Sequence, residues 1–181
     1  MRDKIKLNKV KISYPSLFEA RYQSQNPGES DDKYYDCTFI LDKDIHAAEI
    51  KTIKEKIAEL FKEKKFNSGA RSPLRDGDLD PKEREEYKNS YVLKAKEKRR
   101  PPVISKDGRT MLTEDDNLLD GGGYVVLAYI SLYAYTKGSS GVSANLIGVQ
   151  HLGGEPFVPK DELNIEEMFE PVEEDEDFPF G

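Results

Sequence analysis

The chain has 181 residues with 28 Lys+Arg, 35 Asp+Glu, 36% hydrophobic residues, 18 Tyr+Phe, one Cys and no Trp. That size suits one domain, or one domain with a tail, and the 35% charged content sits near the polar edge of what still buries a core. The longest apolar stretch, Tyr124 to Tyr135, is too short to span a bilayer as a helix. Met1-Arg2-Asp3-Lys4 lacks the apolar region of a signal peptide, and a single cysteine excludes an internal disulfide and a zinc ribbon. A reducing cytoplasm is the expected compartment.

Charge is unevenly spread. From Asp161 onward there are ten acids and no Lys or Arg; subtracting these from 35 leaves 25 acids against 28 bases in residues 1–160, about +3. A mildly basic body with an acidic tail is an interaction pattern, although a charge run can also serve only to keep a protein soluble.

Residues 4–14 read as a strand. Ile5 and Leu7 alternate with lysines, as do Val10, Ile12 and Tyr14, and the phase slip between Leu7 and Val10 predicts a bulge. A short second strand is expected over 16–22, then a polar loop over 23–32. A third strand, Tyr34 to Leu41, carries Cys37, Phe39 and Leu41 as one alternating set. Asp44 opens a helix in which Ile50, Ile53, Ile57, Leu60 and Phe61 recur at three- and four-residue steps, fading near Phe66 to Gly69. Residues 67–89 read as a long polar loop. Tyr91 to Lys96 is the next strand, Lys106-Asp107-Gly108-Arg109 a turn, Tyr124 to Tyr135 the strongest strand and Val142 to Leu152 the last.

This order predicts a mainly β protein: a five-stranded Greek-key barrel of the oligonucleotide-binding (OB) type, with one main α-helix after the third strand and a disordered acidic tail. The domains expected are the OB barrel over 1–157 and the tail over 158–181.

On the strongest strand, Val126, Ala128, Ile130, Leu132 and Ala134 share one face and Tyr129, Tyr133 and Tyr135 the other. A tyrosine row outside a barrel offers flat surfaces on which bases of any identity stack; the same rings could instead pack beneath the helix. Lys94 and Lys96 project together from their strand, with Lys98, Arg99 and Arg100 just beyond. Arg71 and Arg75 lie in the preceding loop, and Lys9 and Lys11 on the first strand. With Tyr91, Tyr133 and Tyr135, these cations make the candidate nucleic-acid surface. Taken alone, a lysine-rich edge can serve merely to prevent aggregation.

Asp76, Asp78 and Asp80 are the one cluster that invites a metal-dependent nuclease reading, yet no Glu or His partner has suitable spacing. A glycine-centred turn at Gly77, held by Arg75 or Arg71, is the expectation instead. His46 and His151 are isolated, and Cys37 reads as core. No cofactor, metal site or catalytic group is expected. The acids Glu173, Glu174, Asp175, Glu176 and Asp177, followed by Phe178 and Phe180, form a compact partner-binding ligand that could also fold back on the basic surface. A protein-only adaptor is the other alternative, and the sequence leaves a homodimer open.

Several motifs resemble, in order, a family of tailed-phage single-stranded DNA-binding proteins with an OB barrel, related in plan to the phage T7 single-stranded DNA-binding protein. They are Ser13-Tyr14-Pro15-Ser16-Leu17-Phe18, Tyr35 to Lys43, and Pro73-Leu74-Arg75-Asp76-Gly77-Asp78. Ala95-Lys96 through Arg100-Pro101-Pro102 follow, then Tyr133-Ala134-Tyr135 through Gly141-Val142 to Asn145-Leu146. The resemblance covers residues 7–157. It implies binding of single-stranded DNA without sequence preference in phage replication, recombination or repair, and a tail that contacts replication or recombination proteins. In such tails the aromatic residue commonly comes last, whereas here Gly181 follows Phe180.

Overall fold

A computed structural model describes residues 3–24, 26–28 and 31–157. Seven strands and one α-helix follow in the order β1 Ile5–Tyr22, β2 Lys33–Asp42, α1 Ala47–Glu63, β3 Leu74–Asp76, β4 Ser90–Glu97, β5 Val103–Ile104, β6 Tyr124–Tyr135 and β7 Gly141–Gly154. β1 pairs with β2 and β6, β2 with β4, and β6 with β7, all antiparallel. A parallel contact between Lys96 of β4 and Asn145 of β7 closes the ring β1-β2-β4-β7-β6. Closure removes the open edges that such a sheet would otherwise expose.

The two predicted segments at the start are one continuous strand. Its register slips between Leu7 and Val10 against β6, where Lys9 takes φ 54°, and again between Ser13 and Ser16 against β2. Each slip is a bulge that bends β1, so one strand serves where two were expected. The helix follows the third predicted extended segment. It begins at Ala47 rather than Asp44 because the Asp42 carboxylate accepts the N–H groups of Asp44 and Ile45, holding that stretch as a turn. His46 precedes the helix. Its Nδ1 accepts the Asp42 N–H at 3.0 Å, and its Nε2 lies 3.1 Å from the Lys9 carbonyl, tying the first bulge to the helix start.

The barrel interior is apolar. Leu7, Val10 and Ile12, Cys37, Phe39 and Leu41, Leu93 and Ala95, and Val126, Ala128 and Ile130 are buried together, and α1 caps them with Ile50, Ile53 and Leu60. Burial pushes the Cys37 thiol pKa well up, as befits a core residue. The predicted long loop holds β3, which adds to the edge of β4, and two 3-10 turns at Gly77–Leu79 and Glu85–Tyr87. Gly77 is required there, since a Cβ would lie 2.2 Å from the Tyr87 carbonyl oxygen. Tyr87 folds back over the outer face of the sheet with Ile40, Val92 and Phe157, and its hydroxyl meets Ser13 Oγ at 2.8 Å. Among the described residues no helix is long and apolar enough to cross a membrane.

Phe39 is the largest fully buried side chain. Phe39→Ala is expected to cost about 3–5 kcal/mol by lost burial plus cavity, read as a lower urea midpoint with little change in slope.

Candidate nucleic-acid interface

Alternation along β4 turns Leu93 and Ala95 into the barrel and leaves Lys94 and Lys96 outside. Lys94 stands opposite Thr38 and Lys96 opposite Asp36 of β2, while β3 brings Arg75 alongside through its pairing with Val92. The bend in β1 returns Arg21 to the same face. There its Nε and Nη2 reach the Asp36 carboxylate at 3.1 and 2.5 Å, and Gln23 donates to the same group at 2.8 Å. The Asp36 side chain is only 1% exposed, so its charge is spent locally on these donors rather than on solvent.

Lys94 is crowded by cations. Burial, together with Arg21, Lys96 and Arg75, holds its pKa below the ordinary lysine value, and Asp36 acts in the opposite direction. An anion reaching this face would favour the charged form of Lys94.

Rings sit beside these charges. Tyr34, on the same outer face of β2, has Lys96 Nζ 4.7 Å and Lys98 Nζ 5.8 Å from its centroid, and Lys98 also reaches Asp32 at 2.7 Å. Arg100 lies 5.6 Å from the Phe18 ring and pairs with Glu114 at 3.2 Å. Arg99 is exposed in the loop after β4. Across β7, half-buried Tyr133 and Tyr135 stand on β6 opposite Ser143 and Gly141. The Arg71 backbone is stitched to this hairpin by two bonds, donating its N–H to Ser140 and accepting from Val142. Gly141 allows that approach, because a Cβ there would lie 2.6 Å from the Arg71 carbonyl. Arg75, Lys94 and Lys96 thus gather on the outer face of β3 and β4 with Lys98 beside Tyr34, and the Arg71 backbone ties on the β6–β7 hairpin that carries Tyr133 and Tyr135.

Tyr91 and Lys9 lie apart, and Lys11 stands at the margin of the face, opposite Ile40. The Tyr91 ring is covered by Lys54 Nζ at 4.1 Å and Lys43 Nζ at 5.1 Å, and it packs beside Ala47 and Ile50 of α1. Lys9 belongs to the bulge near the helix start, and Lys11 points across β1 toward Phe157, 6.0 Å away. Sequence reading missed Tyr34 and Arg21. Tyr34 could have been found, since it alternates with Asp36 and Thr38 on the polar face of β2. Arg21 could not, because its role depends on a bend.

The acidic cluster differs from expectation in what holds it. Lys43, not Arg71 or Arg75, sits between Asp76 and Asp78 at 2.8 and 2.6 Å, and its hydrogen bonds pull both carboxylate pKa values down. Asp80 pairs with Arg84 at 2.9 Å. Among the described residues no group of three or more His, Cys, Asp or Glu is placed to hold a metal ion. The tail residues Glu173, Glu174, Asp175, Glu176, Asp177, Phe178 and Phe180 lie outside the described residues.

A model of the family described as "Enterobacter phage Enc34, ssDNA-binding protein" matches residues 3–179. The chain belongs to this phage single-stranded DNA-binding family. Protein p50 of Acyrthosiphon pisum secondary endosymbiont phage 1 is 35% identical over 177 residues, covering 91% of this chain and 92% of that protein. Among solved structures, the single-stranded DNA-binding protein from bacteriophage Enc34 in complex with ssDNA superposes with a TM-score of 0.72. It is 26% identical, and the match covers 86% of this chain and 89% of that one. The single-stranded DNA-binding protein encoded by bacteriophage T7 has a TM-score of 0.56 at 15% identity, covering 98% of this chain and 99% of that one. That likeness shows a shared fold.

The electrostatic reading of Lys94 gives a measurable outcome. In Asp36→Asn, the one carboxylate that favours its charged form is gone and Arg21 is left uncompensated, so the Lys94 ammonium should titrate at still lower pH. Lysine-selective NMR follows this directly; an unchanged or raised value would contradict the placement of these charges.

Proposed function

We propose that the protein coats single-stranded DNA without sequence preference during phage DNA replication and recombination. The outer face of β2 and β4 forms the centre of its binding surface. Lys94, Lys96, Lys98, Arg71 and Arg75 neutralise phosphates, while Tyr34, Tyr133 and Tyr135 offer faces to bases. The observation that carries this reading is the Lys96–Tyr34–Lys98 arrangement, in which two ammonium groups rest near one ring on an open sheet face. An arriving base takes the ring and the lysines turn to its phosphates. The described relative from Enc34 in complex with ssDNA supports the same ligand class.

In this reading no bond is made or broken, and the protein acts in the host cytoplasm. Residues 1–157 bind DNA. Residues 158–181 form a separate acidic segment that recruits replication or recombination proteins and competes with DNA for the cationic face.

Binding of labelled oligo-dT across a salt series is the test. Affinity should fall steeply with salt, and removing Lys94 and Lys96 together by alanine should flatten the log–log slope by about 0.7 per lost contact. Tyr133→Ala with Tyr135→Ala should cost ~1–3 kcal/mol per lost stack, and deleting 161–181 should raise apparent affinity. Cleavage of the DNA with Mg²⁺ or Mn²⁺, lost in Asp78→Asn, would overturn the binding reading in favour of a nuclease; absence of any binding would leave an adaptor.

A further inference from the structure

Beside the cationic face runs a groove of about 870 Å³ between the bend of β1, the segment 82–87 and Phe157. Tyr14 stands in it, 55% exposed, although it is a large aromatic residue next to a buried core. Its backbone has φ 47°, in the left-handed region that bulky residues avoid and that a following proline does not favour. It belongs to the second bulge of β1, where Tyr14 and Pro15 together stand against Cys37 alone. Bulges re-aim side chains, and strained backbone concentrates where function requires it.

The surroundings hold the residue in place. Arg21 Nη2 donates to the Tyr14 carbonyl at 2.6 Å while the same guanidinium grips Asp36. Arg84 lies against the ring, 5.3 Å from its centroid and 5.2 Å from that of Tyr87, and its Nε donates to the Tyr14 hydroxyl at 3.3 Å. Asp80 fixes Arg84 in turn. One side of the ring is thus backed by a guanidinium clamped between two aromatics. The groove carries no cationic excess: Arg21 is paired with Asp36, Arg84 with Asp80 and Glu85 with Lys88, which leaves Lys82 facing Glu86 and Asp120. Such a groove suits an uncharged aromatic base rather than a phosphate.

We propose that the strained Tyr14, backed by Arg84 and anchored by the Arg21–Asp36 pair, is a base-stacking platform that receives one unpaired nucleotide in this groove. This rests on the single-strand binding reading and extends its path from Lys94 past Arg21 to the loop of Arg84. Arg21 is a positioning residue, and the Ser13-Tyr14-Pro15 motif is the sequence trace of the platform.

The chain has no Trp, so Tyr14→Trp places a single reporter on the site. In the full-length protein, oligo-dT should quench its fluorescence, whereas Ile45→Trp, 78% exposed in the turn before α1, should bind equally well without quenching. Tyr14→Gly, which suits the positive φ and removes only the ring, should bind labelled oligo-dT ~10-fold more weakly, and Tyr14→Phe should restore binding to within about twofold of wild type. A bound but unquenched Tyr14→Trp protein, or a Tyr14→Gly protein with wild-type affinity, would overturn the platform while leaving the main face intact. Loss of binding in the wild type itself would instead sink the single-strand reading.

Discussion

The pairing of Lys96 with Asn145 is the constraint on which the rest depends. It is a short parallel contact between strands far apart in sequence, and it turns an open sheet into a barrel. β3 flanks β4 only as far as Leu93, so without this contact the end of β4 that carries Lys96 would be a sheet edge, where a lysine discourages aggregation. With it, β4 has β2 and Tyr34 on one side and β7, backed by the Tyr133–Tyr135 hairpin, on the other. A charged edge becomes the middle of a cationic, ring-flanked surface.

Electrostatics on that surface are arranged by a buried acid. Asp36 stands among cations, where it holds Arg21 and supports Lys94 against its crowded neighbours. The cost of burying one carboxylate is offset by the donors that converge on it. The same pair links the central face to the bend of β1. The outer side of the sheet is therefore one connected system of charge and strain rather than a scatter of basic residues.

Much of this was legible in the chain. The slip from Leu7 to Val10 predicted a bulge because strand periodicity has a strict period of two, and Lys9 sits there with a positive φ. The 3.6-residue spacing of Ile50, Ile53 and Leu60 placed the helix, and the alternation of β6 gave the barrel interior. What stayed hidden depends on tertiary geometry. Arg21 meets Asp36 only because β1 bends, and Lys43 meets Asp76 and Asp78 only because β3 joins the sheet. Tyr91 illustrates the converse: its strand neighbours were read correctly, but local alternation could not reveal that two lysines cover its ring beside α1.

The family assignment says what kind of protein this is; that a strand lies across β2 and β4 is our proposal. Backbone NMR during titration with oligo-dT maps that location most directly. The largest chemical-shift changes should fall on Tyr34, Thr38, Arg75, Lys94 and Lys96, with Lys4 and Lys6 at the start of β1 nearly still. Changes centred on the start of β1, with β2 and β4 silent, would contradict the account.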